Sequence, residues 1–163
     1  MRYQVIGWFL FFMTLFSGNP LRAEEWFITS GRGLGSIAIG EPMEKVVSRF
    51  GVAKDTMGSL YWYKDKGLEF YAPENLIERI IIVKSSFGDI SYVTPCGVSV
   101  GSFACEVERA YGPCRRALFS KHVYTLDYVE KGITFYIRGG EVCKIQLYRA
   151  TGSAALGGAP PSL

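Results

Sequence analysis

Histidine is nearly absent: the chain of 163 residues holds one, His122. A lone histidine cannot form a His-rich metal site, and at the start of an extended stretch it reads as a surface residue rather than a catalytic base. No C-x-x-C pair is present, which argues against a zinc knuckle or a dithiol redox motif. The Gly-rich stretch Ser30-Gly31-Arg32-Gly33-Leu34-Gly35 lacks the Gly-Lys-Ser/Thr ending of a phosphate loop and the spacing of a dinucleotide fingerprint. It reads as a flexible connector. Charge of one sign is also scarce. Eighteen basic residues against 15 acidic ones give +3, too little for the electrostatic footprint of a nucleic-acid binder. Asp65, Glu69, Glu78, Asp127, Glu130 and Glu141 are scattered over turns and strand edges, so no carboxylate pair for hydrolysis stands out.

No apolar run reaches the roughly 20 residues of a membrane-spanning helix. Val5 to Phe16 is a shorter one, preceded by Arg2 and followed by Ser17-Gly18-Asn19-Pro20. That order fits a secretory signal peptide with cleavage after Ala23. Loss of Arg2 and Arg22 with residues 1–23 leaves a net charge of about +1 on this reading. The expected location is periplasmic or extracellular, with no stable membrane span after cleavage.

What is present is a repeat. With an offset of 61, Ile37-Ala38-Ile39-Gly40 falls on Val98-Ser99-Val100-Gly101, Val46 on Val107, Phe50 on Tyr111, and Gly51 on Gly112. With an offset of 65, residues 61–83 fall on 126–148 without a gap: Tyr63 on Tyr128, Gly67 on Gly132, Phe70 on Phe135, Tyr71 on Tyr136 and Ile80 on Ile145. Apolar residues at helical spacing before Gly51 and Gly112 predict one helix per copy, closed by glycine. Lys64–Gly67 and Glu130–Gly132 predict hairpin turns. The expected fold class is α+β: two tandem αβββ units, residues 24–88 and 89–149, with helices packed on one face of an antiparallel sheet. Residues 150–163, rich in Gly, Ala, Pro and Ser, read as a disordered tail.

Strand residues alternate between faces. Phe70, Ile80 and Ile82 therefore share a face with Phe135, Ile145 and Leu147, and this face should meet the helices. The other face carries Trp62, Glu69, Tyr71, Arg79 and Ile81 from one copy, and Thr134, Tyr136, Lys144, Gln146 and Tyr148 from the other. Aromatic and charged residues mixed in this way have the character of a protein-recognition surface. Trp62, Glu69, Tyr71, Arg79, Tyr136, Lys144 and Tyr148 are the candidate binding residues. There are four cysteines, Cys96, Cys105, Cys114 and Cys143. In an exported chain an even count predicts two disulfides, and three pairings are open. Cys105–Cys143 would join helix to strand, and Cys96–Cys114 would join the flanks of the same helix.

The repeated Gly-x-x-x-x-x-Val-x-x-x-aromatic-Gly, followed by a Gly-containing hairpin and apolar strands, resembles the beta-lactamase inhibitory protein family. It also resembles the small outer-membrane assembly lipoproteins of the SmpA/OmlA type. The resemblance covers about 110 of 163 residues and implies helices on one face of an antiparallel sheet, a protein partner and no cofactor. No cysteine stands at the expected cleavage point to carry a lipid, and all four lie in the second copy. The expected function is an exported protein-binding module without catalytic activity. An envelope structural or assembly factor is the alternative, and a small hydrolase or thiol enzyme ranks last.

Overall fold

A computed structural model describes residues 26–86 and 91–151. The expected signal peptide and nearly all of the expected tail lie outside these residues. The chain opens with three two-residue strands, β1 (Ile28–Thr29), β2 (Gly33–Leu34) and β3 (Ile37–Ala38). Helix α1 (Glu44–Phe50) leads into β4 (Asp55–Met57), β5 (Leu60–Tyr63), β6 (Leu68–Tyr71) and β7 (Arg79–Val83). Helix α2 (Ala104–Tyr111) leads into β8 (Arg115–Ser120), β9 (Val123–Tyr128), β10 (Ile133–Arg138) and β11 (Glu141–Tyr148).

The expected architecture of two helix-packed αβββ units does not hold. The described chain is mostly antiparallel sheet. Eight strands form one sheet in the order β4-β5-β6-β7-β11-β10-β9-β8, and β1–β3 form a small second sheet. Only two short helices accompany them, of seven and eight residues. Four strands follow each helix rather than three. The additional strands are β4 and β8, which form the two edges of the large sheet. Neither has a fully buried residue, so neither carries the apolar alternation by which a strand shows itself in sequence.

The ladders of the two halves correspond. Leu68 opposes Ile82 and Phe70 opposes Ile80; Ile133 opposes Leu147 and Phe135 opposes Ile145. Loop bonds correspond as well. Gly40 N–H donates to the Ile77 carbonyl at 2.7 Å, and Gly101 N–H to the Val142 carbonyl at 2.8 Å. The halves meet where β7 pairs antiparallel with β11, with Ile81 opposite Gln146.

One face of the large sheet is buried. Phe70, Ile80, Ile82, Phe135, Ile145 and Leu147 belong to a single apolar cluster with Val46 of α1 and Val107 of α2. Helices this short cannot cover eight strands. The N-terminal sheet adds Ile28, Leu34 and Ile37 to the same cluster. The Gly-rich segment is therefore part of the folded body and not a connector. Gly33 (φ +159°) runs so close to β3 that a Cβ there would stand 2.0 Å from the Ile37 carbonyl oxygen, a close approach that only glycine permits.

Candidate functional site

The open face of the sheet is organised by register. One row crosses all eight strands: Asp55, Trp62, Glu69, Ile81, Gln146, Thr134, Asp127 and Arg115, each opposite the next. Seven strand spacings make this row about 34 Å long. A second row runs Leu60, Tyr71, Arg79, Tyr148, and a third runs Val83, Lys144, Tyr136, Thr125, Ala117. The seven candidate residues thus lie in three adjacent rows.

Each half carries a cation stacked on a tyrosine across neighbouring strands. The Arg79 guanidinium lies 5.4 Å from the centre of the Tyr71 ring, and the Lys144 ammonium lies 3.7 Å from that of Tyr136. Such contacts contribute about 0.5–2 kcal/mol, rising with desolvation. Hydroxyls knit the second half further. Tyr136 Oη donates to Gln146 Oε1 at 3.1 Å. Thr134 Oγ1 and Tyr148 Oη lie 3.2 Å apart and share a hydrogen bond.

Electrostatics follow from partial burial. Burial lowers the Lys144 ammonium pKa, and the Glu69 carboxylate opposes that shift. Burial raises the Tyr136 hydroxyl pKa; Asp127 adds to the rise and Arg79 works against it. The face is thus a mixed field in which each cation sits near an anion or a ring.

The candidate residues differ in exposure. Arg79 is exposed, and Trp62, Glu69, Tyr71, Lys144 and Tyr148 are half-buried. Tyr136 is only 9% exposed, because Phe119 meets its ring edge-on at 5.0 Å. Phe119 also lies 5.2 Å from the Lys144 ammonium. Sequence reasoning missed Phe119, Ala117, Arg115 and Asp127 as parts of this face. The first three stand on the edge strand β8, which has no buried side to betray it, and Asp127 reads in sequence as one of several scattered carboxylates.

Neither expected disulfide is present. Cys96, Cys105, Cys114 and Cys143 are all free thiols. Unbroken alternation along β11 would give Cys143 the parity of the buried Ile145 and Leu147. Tyr136 pairs with Lys144 and Ile137 with Val142, so Cys143 is the unpaired residue of a β-bulge, which shifts the alternation there. Cys105 lies on the exposed side of α2. His122 is exposed in the turn between β8 and β9. Among the described residues no group of three or more His, Cys, Asp or Glu side chains is placed to hold a metal ion.

No family model matches the chain, and no curated protein matches it. Two solved structures are similar in outline. One is a DUF4309 family protein (YjgB) from Bacillus subtilis subsp. subtilis str. 168, with 13% identity and a TM-score of 0.49, over 73% of this chain and 88% of that one. The other is an extracellular protein containing an SCP domain from Bacillus anthracis str. Ames, with 11% identity and a TM-score of 0.43. That match covers 68% of this chain and 44% of the other. At these values neither likeness bears on what this chain does.

Proposed function

We propose that this chain is an exported protein-binding module that engages its partner through the open face of the eight-stranded sheet. The observation that carries the reading is the continuous row from Asp55 to Arg115, flanked by the Tyr71–Arg79 and Tyr136–Lys144 stacks. Aromatic rings and arginine held on a rigid sheet are the residue types that dominate binding energy at protein interfaces. Half-buried Trp62 and Ile81 place apolar area on the face opposite the cluster that holds Val46 and Val107.

Export rests on the N-terminal run Val5–Phe16. No helix of the described residues is long and apolar enough to cross a membrane. The mass of the N-terminus together with fractionation tests export: cleavage near Ala23 supports it, and an intact Met1 on protein confined to the cytosolic fraction contradicts it.

For binding, Trp62→Ala and Tyr71→Ala are the informative substitutions, because neither side chain is fully buried. Each should weaken partner capture about tenfold or more while leaving the melting curve close to wild type. Tyr136→Ala is a poorer probe, since its ring is packed beneath Phe119 and Lys144.

A further inference from the structure

The two edges of the large sheet are unlike. Strand β4 is three residues long, and its first residue, Asp55, is tied to Lys64 by an ion pair of 2.7 Å. Short, charged edges resist pairing with other chains. Strand β8 is six residues long and is hydrogen-bonded to β9 alone. It displays Leu118 at 81% exposure and Phe119 at 61%. A long edge with apolar side chains is a template for another strand.

The order of residues on β8 selects the occupant. A twofold axis normal to the sheet pairs an edge antiparallel with its own copy and sets residues of equal parity opposite each other. Centred on Ala117, that pairing puts Ala117 opposite Ala117 and Arg116 opposite Leu118 within the regular part of β8, Arg115–Leu118, and it brings Arg115 to the β-bulge at which Phe119 stands unpaired with β9. The small residue takes the symmetry position, where larger ones would meet head-on. Arg116 then faces the apolar Leu118, and Arg115 ends near the bulged Phe119 and opposite no cation. Arg116 is already ion-paired with Glu108 of its own chain, so its stem can lie beside Leu118 without an unmatched charge. Neighbouring registers are worse. Centring on Arg116 opposes Arg116 to itself, and centring on Leu118 opposes Arg115 to Lys121. Like charges directly opposite are destabilising.

We propose that β8 is the strand through which two copies of this chain associate, antiparallel and centred on Ala117. The two eight-stranded sheets then become one, and the open faces form a single doubled surface. This contact is at the edge of the sheet and does not depend on the open face binding another protein.

Sedimentation equilibrium of the purified protein tests the proposal, with reductant present because Cys96 and Cys105 are exposed thiols. A dimer is expected, with β8 amides whose hydrogen exchange speeds up on dilution. Ala117→Arg sets two arginines face to face and should weaken the dimer about a hundredfold or more. Leu118→Lys, at an exposed position, should act in the same direction if Ala117→Arg folds poorly. A protein that stays monomeric at about 100 μM overturns the proposal. So does a dimer that both substitutions leave intact, or one whose β8 amides exchange at a rate independent of concentration. Trp62→Ala should leave the dimer unchanged, which separates this contact from the partner-binding reading.

Discussion

The Tyr63 hydroxyl donates a 2.9 Å hydrogen bond to the carbonyl of Gly51, fastening the end of β5 to the end of α1. Tyr128 makes the same bond, at the same length, to Gly112 after α2. Both rings sit in aromatic stacks: Phe50, Tyr63 and Phe70 in one half, Tyr111, Tyr128 and Phe135 in the other. Each tyrosine therefore joins helix, turn and sheet at one point.

Tyr63→Phe and Tyr128→Phe keep the stacks and remove the hydroxyl. Each should cost about 1 kcal/mol, since a Gly carbonyl loses its donor. The two strands are several strand spacings apart in the sheet, so the double variant should lose roughly the sum. Urea denaturation measures all three. A double variant no less stable than either single one would mean that the halves do not hold these bonds independently.

Alkaline pH should act on the same residues. Burial raises the pKa of the Tyr63, Tyr92 and Tyr128 hydroxyls. For a group whose pKa is raised on folding, the stabilisation is complete below the unfolded value, about 10 for tyrosine. It is lost as pH rises through the folded value. Stability measured from about pH 8 to pH 12 should therefore fall above about 10. The Tyr63→Phe/Tyr128→Phe variant should show a shallower fall.

Glycine substitutions should cost stability for two separate reasons, backbone strain and lack of space. Gly67 and Gly132 have φ of +67° and +66°, and a Cβ there would stand 2.4 Å from the Val83 carbonyl and 2.3 Å from the Tyr148 carbonyl. Gly51 and Gly112 also have positive φ but open space around the missing Cβ. Gly51→Ala and Gly112→Ala should cost about 1–3 kcal/mol from backbone strain, because their ψ of −175° and −169° places them in a region almost restricted to glycine. Gly67→Ala and Gly132→Ala add a backbone clash and should cost about 1–3 kcal/mol more. Thermal melts of the four variants give the ranking.

The correspondence of residues was legible because it is written in buried positions. Val46 with Val107 and Phe70 with Phe135 recur at fixed offsets, since each packs into the same cluster. Alternation likewise separated Phe70, Ile80 and Ile82 from Glu69, Tyr71 and Ile81. The strand count was not legible. Asp55–Met57 and Arg115–Ser120 have no buried side, and a strand exposed on both faces leaves no period to read. The Gly-rich segment misled for the opposite reason. Its glycines answer to a close backbone approach and not to freedom, and composition alone does not distinguish the two.

The disulfide expectation failed at several residues: Cys96 and Cys105 are exposed, and alternation misplaces Cys143. Parity along β11 is sound from Lys144 to Tyr148, but the bulge at Cys143 breaks it. Nothing in Glu141-Val142-Cys143-Lys144 announces a bulge, because it arises from the pairing with β10. The candidate face suffered less. Its residues stay on one side of the sheet, yet Phe119 of β8 closes over Tyr136, and that cover was invisible while β8 was unrecognised.

The decisive measurement is site-specific photo-crosslinking from the two sides of the sheet in cells that make this protein. A photoreactive residue replaces either Arg79, exposed on the open face, or Lys45, exposed on α1 over the buried face. The account predicts a discrete crosslinked protein from position 79 that disappears with Trp62→Ala, and none from position 45. Crosslinks from position 45 alone, or from both positions alike, would contradict it.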